Sequence, residues 1–277
     1  MSFRERLRAA SERSGSLLCV GLDPDPARLP IHLGPADDAR TVLAFNRAII
    51  EATADLVCAY KPNLGFYLAY GPAGVEALIE TRRLIPPEIP VILDAKVGDL
   101  GNTSVAYARA YFDAWNFDAV TVHPYMGEDS LEPFLSRSDR AVFVLVKTSN
   151  PGSGDLQDLP VTDEGTTEPL YLRVAERARR WQGRYGTCGL VVGATYPRQL
   201  AAVRERCPDL PILVPGVGAQ GGDLTTTVQA GLDPAGGGLL INAARGVIYA
   251  GTGPDFAQAA RRAAIELRDA INLARQS

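Results

Sequence analysis

Eight short runs in the chain are apolar at nearly every position, and each is followed by a longer stretch with apolar residues at helical spacing. The runs occupy 17–22, 56–60, 91–93, 119–122, 141–146, 189–192, 212–214 and 239–241. A strand without polar alternation is one buried on both faces, and helices between such strands make parallel pairing the natural topology. Helical segments are expected at 38–54, 72–84, 102–115, 128–135, 169–181, 197–207, 223–230 and 255–274, several of them opening near a proline (Pro72, Pro169, Pro197). Eight such units in 277 residues fit a single-domain (β/α)8 (TIM) barrel spanning residues 1–277. The competing doubly wound sheet would carry G-x-G-x-x-G after its first strand, and the chain reads Cys19-Val20-Gly21-Leu22-Asp23-Pro24 there. No linker divides the sequence. Its longest irregular stretch, 148–168, is rich in Gly, Asp, Ser and Pro and reads as a functional loop.

Composition narrows the partners. Lys plus Arg number 28 against 32 Asp plus Glu, a net charge of −4, and no basic stripe is present to follow a nucleic-acid backbone. The four cysteines (Cys19, Cys58, Cys188, Cys207) are widely spaced without C-x-x-C and read as free thiols in a reducing compartment. With two histidines, His32 and His123, and no zinc-ligand spacing, no transition-metal site is expected, and no residue is assigned as a metal ligand. Residues 1–20 contain no signal-peptide apolar core, and nowhere do 18 apolar residues run together, so the expected location is the cytoplasm, away from membranes.

In a barrel the active site lies at the C-terminal strand ends. Here those ends carry Asp23, Lys61, Asp94 with Lys96, His123, the Lys147-Thr148-Ser149-Asn150 run, Gly193-Ala194-Thr195, a 215–220 loop ending in Gln220, and Asn242-Ala243-Ala244-Arg245. Asp94 and Lys96 are two apart, so strand alternation predicts that they share a face, where Lys61 from the neighbouring strand would join them. Such a group is either a buried ion pair plugging the barrel or a site; two lysines and two aspartates, Asp99 included, favour the site. The glycine-rich 216–222 loop, followed by Arg245 at the next strand end, suits a phosphate gripped by backbone amides and a guanidinium. Asp23 is a sugar-hydroxyl acceptor or part of a rigid turn; Ser149 and Asn150 bind a polar ligand or start the long loop. His123 reads as a strand-end histidine held by a backbone carbonyl.

The segment Asp94-Ala95-Lys96-Val97-Gly98-Asp99-Leu100-Gly101-Asn102-Thr103 resembles the D-x-K-x-x-D-I-x-x-T signature of the orotidine 5′-monophosphate decarboxylase family. Lys61, Thr121-Val122-His123-Pro124, the 215–223 segment and Arg245 fall at that family's other landmarks, and the long loop after the fifth run resembles its extended bacterial branch. Leu100 replaces the usual Ile, and Ala244 stands where a Gly commonly precedes the Arg. The resemblance implies conversion of orotidine 5′-monophosphate to UMP and CO2 by a cofactor-free homodimer. It assigns Lys61, Asp94 and Lys96 to the charged network of one subunit, with Asp99 and Thr103 supplied by the partner. It further implies that Asp23 and Lys61 contact the ribose, Ser149 the pyrimidine, Gln220 the phosphate and also the pyrimidine, and Arg245 the phosphate.

Three rivals remain. The metal-dependent sugar-phosphate decarboxylases and hexulose-phosphate synthases share a D-x-K-x-x-D core but place an acidic ligand where this chain has Lys61, a cation that repels Mg2+. A Schiff-base aldolase needs a neutral lysine, whereas Lys96 lies between two aspartates that keep it protonated. A barrel that merely binds a phosphorylated ligand would not need Lys61, Asp94, Lys96 and Asp99 together.

Overall fold

The computed structural model describes residues 1–163, 165–217 and 223–276. Its barrel strands are β1 (Leu18–Leu22), β2 (Ala59–Pro62), β3 (Ile92–Val97), β4 (Ala119–Val122), β5 (Ala141–Lys147), β8 (Cys188–Val192), β9 (Ile212–Pro215) and β10 (Leu239–Ala243). They pair in parallel in the order β2-β1-β10-β9-β8-β5-β4-β3. Isolated parallel bridges Tyr60↔Val91 and Asn63↔Asp94 bring β2 and β3 together, completing the (β/α)8 barrel that the eight apolar runs predict. The outer helices include α2 (Ala39–Thr53), α4 (Gly71–Leu84), α5 (Gly101–Ala108), α6 (Glu128–Leu135), α8 (Leu170–Tyr185), α9 (Pro197–Arg206), α10 (Leu224–Gly231) and α12 (Phe256–Ala274).

Strand alternation sorts the core into two layers. Leu18, Val20, Leu22, Tyr60 and Leu93 face outward into the cluster shared with the helices, while Cys19, Ala59, Ile92, Ala119, Phe143, Val191, Leu213 and Leu240 fill the barrel interior. One step further along the same inward rows, the apolar filling gives way to Lys61, Asp94, Thr121 and Asn242. The polar layer at the mouth is therefore a direct consequence of period two.

Several elements differ from the sequence expectation. An N-terminal helix, α1 (Phe3–Ser14), closes the opposite end of the barrel, with Phe3 edge-on to Phe143 at 5.8 Å. It starts from a Ser2/Glu5 capping box, and its Arg6 joins Arg82 and Arg140 around the buried Asp118. The expected 102–115 helix is α-helical only to Ala108 and then widens into a π-helical turn over Arg109–Ala114. The 148–168 stretch is not irregular. It contains a short helix, α7 (Gly154–Gln157), and a hairpin of β6 (Pro160–Asp163) with β7 (Thr166–Pro169). Two further short helices, α3 (Leu64–Leu68) and α11 (Arg245–Ile248), directly follow strand ends. Among the described residues, no helix is long and apolar enough to cross a membrane.

Candidate active site

The barrel mouth encloses a cavity of 710 Å3. On one wall, Asp94 is the hub. Its Oδ2 accepts from Lys61 Nζ at 3.0 Å and Asn63 Nδ2 at 3.2 Å, and its Oδ1 accepts from Lys96 Nζ at 2.6 Å and Thr121 Oγ1 at 2.9 Å. Burial alone would push the Asp94 carboxyl up, but the Lys61 and Lys96 ammoniums overcome it and hold the group well below the ordinary carboxylate range. For Lys61, burial works against the charged form, and the Asp94 and Asp23 carboxylates reverse it, so the ammonium is held above its usual value. Asp23 goes the opposite way from Asp94: burial raises it, only partly opposed by Lys61. Its Oδ1 accepts from Asn63 N at 3.2 Å.

Lys96 reaches Asp94 by a route that simple alternation does not give. The β3–β4 register shifts between Leu93 and Val97, and Lys96 adopts φ +47°, a conformation that non-glycine residues rarely hold. Its amide donates to Thr121 Oγ1 at 2.9 Å, so one threonine braces both the bulge and the carboxylate. Lys61 is buried, whereas the Lys96 side chain is 48% exposed at the cavity mouth. Both lysines line the cavity, and Lys96 is the more accessible of the two.

Across the cavity stand Pro215, Gly216, Val217 and Arg245. Gly216 has φ +96°, a left-handed conformation suited to glycine. Arg245 opens α11 with no side-chain partner among the described residues, which leaves its guanidinium available to an anion. Gln220, in the glycine-rich loop, lies outside the described residues. Thr148, Ser149 and Asn150 form a third side of the cavity.

Asp23, Lys61, Asp94, Lys96, Ser149 and Arg245 thus converge on one cavity. Asp99 and Thr103 do not: Asp99 accepts from the Leu100 amide, and Thr103 is exposed on α5, beside the exposed Leu100, Val105 and Tyr107. The His123 ring is not held by a backbone carbonyl. It packs on Gly98, where an added Cβ would come within 2.5 Å of it, and it makes no ring hydrogen bond among the described residues. Asn242, one of the polar strand-end residues read from the sequence, lines the cavity; sequence reasoning missed Asn63, although it lies on an inward row two positions beyond Lys61. No group of three or more His, Cys, Asp or Glu arranged to hold a metal ion occurs among the described residues.

The fold and this mouth define a (β/α)8 barrel with a charged cavity at the C-terminal ends of its strands. A family model described as Orotidine 5′-phosphate decarboxylase / HUMPS family matches residues 16–263, and the chain belongs to that family. An orotidine 5′-phosphate decarboxylase of Thermomicrobium roseum is 62% identical over 276 residues, covering 100% of this chain and 97% of that relative. Among solved structures, Leishmania donovani OMP decarboxylase is 45% identical with a TM-score of 0.87, each chain covered in full (100%). Leishmania donovani UMP synthase is 47% identical with a TM-score of 0.88 and covers 99% of this chain, which spans 57% of that longer one.

Proposed function

We propose that this chain decarboxylates orotidine 5′-monophosphate to UMP and CO2, a step of pyrimidine biosynthesis, without metal or organic cofactor. The observation that carries this reading is the Lys61–Asp94–Lys96 row on one wall of a cavity whose far wall offers Arg245, unpaired among the described residues. When the bond from C6 to the carboxylate breaks, its electron pair stays on C6 and CO2 departs. With no cofactor to accept those electrons, fixed positive charge must stabilise them. Lys96 is the accessible ammonium, and it both stabilises the carbanion and transfers a proton to C6; solvent then reprotonates the amine. Asp94 orients Lys96 and sets a negative charge against the substrate carboxylate. Lys61 keeps Asp94 ionised, and together with Asp23 it serves the ribose hydroxyls. Arg245 and Gln220 grip the phosphate, Ser149 meets the pyrimidine, and binding energy gained at that distance lowers the barrier at C6.

In this reading the active unit is a homodimer in the cytoplasm, with Asp99 and Thr103 crossing into the neighbouring subunit's cavity. Their position outside their own cavity supports that assignment, as does the apolar surface of Leu100, Val105 and Tyr107 around them. The hexulose-phosphate branch is disfavoured because the Lys61 ammonium already occupies the space beside Asp94 that a cation would need. Purified protein should deplete the absorbance of orotidine 5′-monophosphate at an unchanged rate after exhaustive EDTA treatment and dialysis. Absence of turnover overturns the reading, and loss on chelation with recovery in Mg2+ transfers the chain to the metal-using branch.

A further inference from the structure

Strand alternation would aim a second β5 residue into the cavity: Phe143 and Leu145 point inward, and Lys147 is the next in that row. It does not arrive there. The β5–β8 register shifts between Leu145 and Lys147, and Lys147 is turned out of the cavity lining to become fully buried (0% exposed) beneath the 148–158 segment. Its Nζ bonds both carboxylate oxygens of Asp158 at 2.8 Å and lies 4.6 Å from the centre of the Tyr196 ring. A buried ammonium needs a counter-charge, and Asp158 is the carboxylate that pairs with it.

Most of the contacts around this pair end on the three residues that line the cavity, Thr148, Ser149 and Asn150. Gln157, the neighbour of Asp158, accepts from Thr148 N at 2.9 Å and donates to Thr148 Oγ1 at 2.8 Å. Thr148 Oγ1 donates to Asn150 Oδ1 at 2.7 Å, and Thr195 Oγ1 donates to Ser149 O at 3.3 Å. Tyr196 OH donates to Asn150 O at 3.4 Å and accepts from Ser153 Oγ at 3.2 Å. Gly193 leaves room for the chain: a Cβ there would lie 2.7 Å from the Ser149 backbone.

We infer that Lys147 is a positioning residue: by clamping Asp158 it holds Thr148–Ser149–Asn150 against the cavity and so sets recognition of the ligand's base, separately from its phosphate. The clamp rests on the proposed function, since it assigns the pyrimidine to that wall and the phosphate to the Arg245 wall. Arg245 shares no contact with the clamp, so releasing Lys147 should affect one end of the ligand only.

The test compares Lys147→Met, Asp158→Asn and Asp158→Glu with wild type, using UMP and ribose 5-phosphate as probes. The first two variants should bind UMP at least about tenfold more weakly and bind ribose 5-phosphate within about twofold of wild type. The KM for orotidine 5′-monophosphate should rise at least about tenfold while kcat stays within about threefold, the pattern of lost uniform binding. Asp158→Glu, which keeps the charge, should recover most of the UMP affinity. Asp158 is partly exposed and tolerates the loss of its partner, so Lys147→Met carries the test if Asp158→Asn, which strands a buried ammonium, does not fold. Unchanged UMP affinity in both variants, or an equal loss for both probes, overturns the clamp. A wild-type protein that turns over no orotidine 5′-monophosphate instead overturns the function on which it rests.

Discussion

Replacing Lys96 by alanine should separate catalysis from stability. Lys96 is the exposed partner (48%) of a pair whose carboxylate is only 10% exposed, so its loss should cost little more than the about 0–1 kcal/mol of a surface pair, and the melting temperature should fall by only a few degrees. Asp94 would still accept from Lys61, Asn63 and Thr121. Turnover should nevertheless collapse. A positioned general acid contributes about 10²–10⁴-fold, and a charge aimed at a developing anion about 10²–10³-fold. Together they predict a loss of about 10⁴–10⁷-fold, or about 5–10 kcal/mol of transition-state stabilisation. Asp94→Ala is the matching perturbation. It strands the Lys61 ammonium, whose side chain is 4% exposed, and breaking a buried pair in that way costs about 3–5 kcal/mol. At about 2–4 °C per kcal/mol for a chain of this size, its melting temperature should fall by about 6–20 °C. Absorbance assays and thermal melts on both variants decide the matter. Near-normal turnover in folded Lys96→Ala protein, or a melting loss equal to that of Asp94→Ala, would refute the division of labour.

Asp23→Asn should raise the melting temperature at pH 7 and weaken UMP binding. Burial raises the Asp23 carboxyl, so the native state binds its proton more tightly than the unfolded chain and stability falls as pH rises above about 3.9; the variant's advantage should vanish in melts below about pH 4. Asp94 has the opposite sign: its contribution is complete above about pH 4 and is lost only as pH falls towards its depressed value, so Asp94→Asn melts should converge on wild type at strongly acid pH. Mixed Asp99→Ala and Lys96→Ala subunits should regain about a quarter of wild-type activity per subunit, because a heterodimer leaves one site complete; no recovery after verified subunit exchange would place Asp99 in its own chain's site. Gly98→Ala, which drives a Cβ into the His123 ring, should lower kcat/KM by displacing the turn that carries Asp99, with wild-type kinetics counting against that packing.

The barrel was legible because parallel strands covered on both sides leave apolar runs, and the polar layer of Lys61 and Asp94 was legible because period two is the simplest pattern a strand can show. What stayed hidden was departure from that pattern. Lys96 meets Asp94 across a bulge with a left-handed backbone, and Lys147 leaves the inward row at a second register shift. Neither shift has a glycine or proline signature; both are set by long-range pairing with β4 and β8. Helix α1 escaped because its mean hydropathy is low and its charged residues outnumber the buried Phe3, Leu7 and Ala10. The 160–169 hairpin escaped because its strands are largely polar and meet only each other among the described residues.

The junction of β2 with β3 has a consequence for how the barrel breathes. Every other neighbouring pair of barrel strands shares a ladder with at least two consecutive residue pairs, while these two are joined among the described residues by isolated bridges, and the second of them, Asn63↔Asp94, sits at the charged wall. The Lys61–Asp94 and Asn63–Asp94 bonds therefore act as side-chain stitches along a thin backbone seam. Amide protons flanking that seam should be the first of the barrel strands to exchange with deuterated solvent, and a nucleotide spanning both strand ends should slow them most. Occupancy of the cavity would then be readable in the fabric of the barrel, with no chemistry taking place.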